Sequence, residues 1–281
     1  MLKNKLLNDW FLYWVITGPI SIVMLISMFD TNMTSGEDVS TMIQLSVRCA
    51  VPLLFLAFAA SSLQIVFPST FSRWLLKNRK IIGLSFASAM AWQLLFILWL
   101  VIVFSDYYLN EVYVLRDAIE GVLGYIFLLA MTITSFRFAR KHIKPKSWKL
   151  LHTSGIYILW AYAFSVYWWE LFYYSGPQLI DYIYYWTGFL AWGLRAAAWA
   201  LQHKPTIPNW VLTLVGRTII LIGLLAAAFG KAWQPASEHI LTGYSLTKIP
   251  ELYLPYWPFE PFLPLFIISF GVFLITREKV N

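Results

Sequence analysis

The chain alternates long apolar runs with short polar segments, a pattern that predicts helices crossing a membrane. A helix rises 1.5 Å per residue, so about 20 apolar residues cross a hydrocarbon layer of about 30 Å. The runs cover residues 10–28, 43–66, 81–104, 117–136, 150–173, 179–202, 210–233 and 261–276, the last of which is short and interrupted by proline. The predicted fold class is therefore an all-α polytopic membrane protein with about eight transmembrane helices.

The composition supports this class and excludes several others. Hydrophobic residues make up 59% of the chain and charged residues 12%, about half the charged fraction of a soluble domain. The net charge of +7 lies in short loops between apolar runs, so it does not predict nucleic-acid binding. The single Cys49 excludes an internal disulfide and a cysteine-ligated metal cluster.

The loops differ in charge from one side of the predicted bundle to the other. Lysines and arginines accumulate in cytoplasmic loops of membrane proteins, which predicts that both termini are cytoplasmic. The opposite loops contain mainly Asp and Glu. The inner loops contain Arg73, Lys77, Arg79, Lys80, Arg137, Arg140, Lys141, Lys144, Lys146, Lys149 and Lys204.

Polar residues inside the apolar runs are the candidate site residues, because burying them in hydrocarbon is costly. Gln93 lies roughly 18 Å along the third helix, near mid-membrane. His152 is the one histidine placed to face a bundle interior, and Ser165 follows it on the same helix. Arg48 and Glu120 lie near the outer ends of their helices, where the two could pair. For Arg195 and Arg217, two interpretations stay open: extension toward lipid phosphates, or an anion clamp for haem propionates, a quinone headgroup or a lipid.

Three stretches carry a resemblance to a known family. They are Arg79-Lys-Ile-Ile-Gly-Leu followed by Gln93, Trp148-Lys-Leu-Leu-His-Thr-Ser-Gly-Ile-Tyr157, and Leu129-Ala-Met-Thr-Ile-Thr-Ser135. They resemble the motifs of the ferric-reductase-like transmembrane domain, in particular the haem-binding membrane subunit of the bacterial periplasmic methionine-sulfoxide reductase system. The resemblance divides the chain into residues 1–42, a helical bundle over 43–202 and a two-span extension over 203–281.

The resemblance implies three positions for b-type haem ligands. They correspond here to Gln93, His152 and Ser165, and only His152 is a histidine. Glutamine and serine are poor ligands for haem iron compared with imidazole. A haem held by two histidines is therefore not expected, whereas a haem held by His152 alone stays open. We expect no cofactor, with haem b or a quinone as the alternatives.

The resemblance also sets the functional expectation. The first interpretation is a haem-free membrane subunit that acts as a scaffold binding a partner, a lipid or a quinone. The alternative is an electron-transfer subunit that passes quinol electrons to an outer-side partner, at most a redox subunit rather than a complete enzyme. A transporter or channel is a third class. The expected surroundings are the bilayer of a bacterial inner membrane and a membrane or periplasmic redox partner.

Loss of the haem predicts a change in packing. An empty haem-sized cavity costs stability, so we expect the space to be occupied. One alternative is that a lipid or quinone enters it, with Arg195 or Arg48 holding the polar head. The expected outcome is filling by large aromatic side chains. Gln93 is then expected to form a hydrogen bond with a neighbouring helix, since an unpaired amide in hydrocarbon is costly. The candidates for filling are Trp92, Phe96, Trp99, Trp160, Phe164 and Trp168.

Overall fold

The computed structural model describes residues 7–174, 176–205, 209–243 and 260–277, and in these ranges all regular structure is helical. Short helical segments also occur at Ser105–Tyr107, Tyr108–Val112, Arg137–Arg140 and Glu260–Phe262. Seven of the eight predicted apolar runs each fall on one of the longer helices, whereas the run 210–233 is divided between two. The longer helices are α1 Asp9–Asp30, α2 Gly36–Val66, α3 Thr70–Val103, α4 Leu115–Thr134, α5 Pro145–Phe172, α6 Leu179–Gln202, α7 Trp210–Ala228, α8 Gly230–Gly243 and α9 Leu263–Ile275.

Five described helices are long and apolar enough to cross a membrane, namely α1, α2, α3, α7 and the Asp117–Thr134 part of α4. The segment Glu260–Ile275 is apolar but shorter. The helices α5 and α6 are long, but their Tyr, Trp and charged residues lower their mean hydropathy below that of these five. The chain is thus an all-helical protein with the helices expected of an integral membrane protein.

The chain forms two compact units. The first unit comprises Met1–Gln64 and Pro68–Tyr162, and the second comprises Ile65–Phe67 and Ala163–Asn281. The boundary near Tyr162 falls inside α5, within the bundle that the resemblance predicts for residues 43–202.

In the first unit, α1 and α3 run parallel to each other. The hydroxyls of Tyr13 and Ser88 lie 2.8 Å apart, and the indole of Trp92 donates to Ser21 Oγ at 3.1 Å. Both pairs advance in the same direction along the two helices. Because α1 and α3 run in the same direction, the intervening α2 runs in the opposite direction, as expected of consecutive membrane-spanning helices.

The start of α1 is fixed to α3 by buried polar groups. Asn78, which is 1% exposed, donates from Nδ2 to Asn8 Oδ1 at 3.0 Å. One turn earlier, the indole of Trp74 donates to the Leu7 carbonyl at 2.6 Å. A buried amide needs such partners, so these contacts fix the register of α1 against α3.

The helices α4 and α5 pack antiparallel in the first unit. Gly155 on α5 faces Met131 and Phe127 on α4, where a β-carbon would collide with the methionine sulfur. Two turns before Met131, Gly124 faces Leu159. Because α5 residues of rising number meet α4 residues of falling number, the two helices run in opposite directions.

In the second unit, α7 and α9 approach closely through glycines. A β-carbon built at Gly216 would lie 2.6 Å from the Gly271 carbonyl oxygen, and one built at Gly223 would lie 2.9 Å from the Pro264 carbonyl oxygen. Small residues allow such backbone contact, which is a common basis of helix association in membranes. The pairing of 216 with 271 and of 223 with 264 makes these helices antiparallel.

The second unit also has an aromatic core. Tyr185, 1% exposed, stacks on Phe164 with ring centroids 5.3 Å apart. Its hydroxyl donates to the Ala227 carbonyl at 3.1 Å, which links α6 to the end of α7. The hydroxyl of Tyr173 donates to the buried carboxylate of Glu260 at 2.6 Å. These residues are thus structural elements of the second unit.

Candidate functional site

His152 lies two turns into α5, where it belongs to a column of stacked side chains. Trp148 and His152 are one helical turn apart and therefore lie on the same face of the helix. Their ring centroids are 4.3 Å apart. The guanidinium of Arg140 lies 4.4 Å from the centroid of Trp148, on the other side of a short connection. This connection is thus held against the start of α5.

The imidazole of His152 is bonded to Thr134 at the end of α4. Its Nε2 lies 2.9 Å from Thr134 Oγ1, and that hydroxyl donates its one hydrogen to the Ala130 carbonyl at 2.7 Å. A threonine hydroxyl has a single hydrogen, so Thr134 accepts a hydrogen bond from His152. We therefore assign the proton to Nε2.

Trp148 uses the same threonine. Its indole nitrogen donates to the Thr134 carbonyl oxygen at 3.1 Å. The Trp148 and His152 pair thus holds α5 against the end of α4 through two hydrogen bonds to one residue. Sequence reasoning singled out His152 but missed Thr134; the stretch Leu129–Ser135 entered only as part of the resemblance.

Gln93 is also paired with a neighbouring helix. The hydroxyl of Tyr125 on α4 donates to Gln93 Oε1 at 2.8 Å and lies 3.1 Å from the Met90 carbonyl. The expected hydrogen bond from Gln93 to a neighbouring helix is thus present, and α3 and α4 run antiparallel at this point. No sequence pattern identified Tyr125 as the partner of Gln93.

The other predicted site residues lie elsewhere. Arg48 is half-buried and lines a small cavity of about 220 Å³ together with Asp30. Ser165 is 3% exposed and belongs to the second unit, as does the half-buried Arg195. Within the first unit, Arg48 and His152 therefore line different cavities.

His152 lines a cavity of about 510 Å³ in the first unit, named here the basic cavity. Its apolar wall includes Leu54 and Ile156, and Gly83 forms part of the lining. None of the described residues that line it is Asp or Glu. The basic residues that line it are Arg79, Lys80, Arg137, Arg140 and Lys149.

A second cavity of about 480 Å³ adjoins the first and is named here the apolar groove. Both cavities are lined by Leu84, Leu128 and Thr132. The remaining lining of the groove is mainly aromatic and aliphatic and comes from α1, α3 and α4. Besides the shared residues, it comprises Trp10, Tyr13, Trp14, Ala87, Ser88, Ala91, Leu94, Tyr125, Leu129 and Phe136. The first unit thus places a strongly basic cavity directly beside an apolar one.

No family model, curated protein or solved structure matches this chain.

The residues at the implied ligand positions do not fit a haem iron. The Nε2 of His152 lies 2.9 Å from Thr134 Oγ1, so a hydrogen bond within the protein occupies the nitrogen that would face a metal. Gln93 lines neither the basic cavity nor the apolar groove, and its amide oxygen accepts from Tyr125. The arrangement instead combines cations, hydroxyls and an apolar wall, which suits an amphipathic anion.

Of the aromatic side chains expected to fill a haem cavity, four are buried, and their filling of such a cavity stays a prediction; the four are Phe96, Trp160, Phe164 and Trp168. Phe96 is 1% exposed, and Trp92 stacks on it with centroids 6.0 Å apart. Trp160 is also buried and stacks on Phe58 at 5.1 Å. Trp99 is instead 38% exposed, so its expected inward position is wrong. Spacing along α3 places Trp99 on a face that the first unit leaves open.

Proposed function

We propose that this protein is an integral membrane scaffold of the ferric-reductase-like type that holds an amphipathic ligand, a lipid or a quinone, in the basic cavity. The observation that carries the proposal is the position of His152. It lines the cavity, but its Nε2–H is directed to Thr134. This contact supports a structural role for the motif that would hold iron in the resembling family.

We also propose how the chain is arranged in the membrane. Eight spans cross a bacterial inner membrane, with six in a ferric-reductase-like bundle and two added at the C-terminal end. Both termini are cytoplasmic, because the basic loops gather on that side. The basic cavity, lined by Arg79, Arg140 and Lys149, then opens at the level of the inner-leaflet phosphates.

A spectrum and a ligand extraction test the proposal together. The purified full chain, expressed with ample haem supply, is expected to show no Soret band and no α band after reduction. Mass spectrometry of an organic extract is expected to find a lipid or quinone at about one per chain. A reduced b-type spectrum that disappears in His152→Ala would overturn the proposal in favour of an electron-transfer subunit.

Two glycine variants test whether the ligand occupies the basic cavity. Gly83 lines the cavity, and a β-carbon there would meet no atom within 4 Å, so Gly83→Phe places a ring in the cavity without a backbone clash. We expect this variant to lose the extracted ligand. Gly18 on α1 is equally open but lines neither cavity, so Gly18→Phe is the matched control. Equal ligand content in both variants would place the ligand elsewhere.

A further inference from the structure

The geometry points to a lipid with a phosphate head as the ligand of the first unit, its head in the basic cavity and one apolar chain in the apolar groove. This inference rests on the proposed function and deepens it, because it selects an anionic lipid over a neutral quinone. Two features carry it: the charge of the basic cavity, and the side chains that this cavity shares with the groove.

The positive charge of the basic cavity favours binding of an anion. Arg79, Lys80, Arg137, Arg140 and Lys149 line it, and none of the described lining residues is a carboxylate. Five like charges around one cavity repel each other, and a bound anion relieves that repulsion. A neutral quinone head would bring no charge to the cavity. A phosphate brings charge together with oxygens that accept several hydrogen bonds.

Two of the cations are held by aromatic faces. The Arg140 guanidinium lies 4.4 Å from the Trp148 centroid, and the Lys80 ammonium lies 5.4 Å from the Phe136 centroid. Contact with an aromatic face orients a cation without neutralising it. The charges are therefore placed around the cavity before a ligand arrives, which lowers the entropic cost of binding.

The apolar groove has the position and length that a lipid chain needs. Leu84, Leu128 and Thr132 line both cavities, so a molecule with its head among the cations passes its chain across these residues. Along α3 the groove runs from Leu84 to Leu94, ten residues or roughly 15 Å. This is about half of a hydrocarbon layer of about 30 Å, the depth of one leaflet.

Snorkelling, the nonspecific extension of cationic side chains toward lipid phosphates, makes a different prediction about which residues matter. Lysines at helix ends reach toward lipid phosphates wherever they lie, so each would contribute equally. Lys141 in the connection and Lys146 in the first turn of α5 are exposed but line neither cavity. A specific site therefore requires Arg140 and Lys149 to matter more than these two neighbours.

The test is native mass spectrometry of the full chain in detergent, titrated with phosphatidic acid, phosphatidylcholine, inorganic phosphate and a short-chain ubiquinone. We expect phosphatidic acid to bind best and at one per chain, and inorganic phosphate to bind weakly because it has no chain. Arg140→Gln with Lys149→Gln is expected to weaken phosphatidic acid binding about tenfold or more, as lost charge-assisted hydrogen bonds would. Lys141→Gln with Lys146→Gln removes the same charge and is expected to change it little.

A second pair of variants tests the chain separately. Ala91 lines the apolar groove, so Ala91→Phe is expected to weaken phosphatidic acid binding without changing the charge of the basic cavity. Leu95, 56% exposed on the same helix and outside both cavities, supplies the control Leu95→Phe. Because neither variant touches a cation, this pair stays informative if the double variant at Arg140 and Lys149 does not fold.

The outcomes separate the inference from the proposed function. Quinone binding that is lost in Gly83→Phe but unchanged in the charge variants would overturn the inference that the ligand has a phosphate head. The proposed function would still hold in that case. Failure of the wild-type chain to bind any amphipathic ligand overturns both. Equal loss from the two charge pairs overturns the site in favour of snorkelling. Equal binding of inorganic phosphate and phosphatidic acid overturns the role of the groove.

Discussion

The Nε2 of His152 donates a hydrogen bond to Thr134 Oγ1, 2.9 Å away, and this bond joins the start of α5 to the end of α4. Trp148 donates to the carbonyl of the same threonine. The Trp148 and His152 pair, which lies in a stretch resembling a haem-ligand motif, therefore joins α5 to the end of α4. The contribution of this clamp to the free energy of unfolding can be measured.

Replacing Thr134 with valine is expected to lower the free energy of unfolding by about 1–2 kcal/mol, because the imidazole N–H loses its acceptor. Thr187→Val is the control, since Thr187 is exposed and its hydroxyl bonds the carbonyls of Ile183 and Tyr184 in its own helix. Thermal unfolding in detergent measures both. Equal melting temperatures for the two variants would show that the clamp contributes nothing.

Tyr125 and Gln93 are expected to be energetically coupled across α3 and α4. Tyr125→Phe and Gln93→Leu each remove one side of a hydrogen bond of 2.8 Å. Such bonds between membrane helices contribute about 0.6 kcal/mol on average and up to about 1.7 kcal/mol. A double-mutant cycle on unfolding isolates this term from the second contact of Tyr125, with Met90. A coupling energy of zero would mean that the two side chains act independently.

The glycine contact between α7 and α9 is expected to be sensitive to a single methyl group. Gly216→Ala places a carbon about 2.6 Å from the Gly271 carbonyl oxygen, so the helices must separate. Overpacking of this kind costs about 1–3 kcal/mol.

Gly193 on α6 supplies the matched control for this prediction. A β-carbon there would meet no atom within 4 Å, so Gly193→Ala is expected to raise stability by up to about 1 kcal/mol through its higher helix propensity. Unfolding followed by circular dichroism measures both variants. A Gly216→Ala protein as stable as the wild type would contradict the close packing of α7 and α9.

The proposed topology predicts which loops a membrane-impermeant maleimide reaches. In a Cys49→Ala background, Glu111→Cys is expected to react in intact cells and Lys144→Cys only after the membrane is broken. Both positions are exposed, so reactivity reports the side of the membrane rather than burial. The reverse pattern would invert the bundle and place the basic cavity at the outer leaflet.

The sequence by itself determined the helices, because their formation depends on local properties. Apolar runs with few charges satisfy their own backbone hydrogen bonds as helices, and all eight runs became helical. The sequence also predicted the needs of single residues. Gln93 was expected to require a hydrogen-bond partner, and His152 was the one histidine expected to face a bundle interior. Trp99 was misplaced because spacing alone does not say which face of a helix is covered.

Only the tertiary structure decided which residues meet. Arg79 and Lys149 are seventy positions apart in the chain, yet they line one cavity, because α3, α4 and α5 pack side by side. Hydropathy indicates that a helix is apolar enough to cross a membrane but not which helix lies beside it. The proton on His152 Nε2 likewise depends on Thr134 at the end of another helix. A basic cavity beside an apolar groove is thus a property of packing, and no single stretch of this sequence contains it.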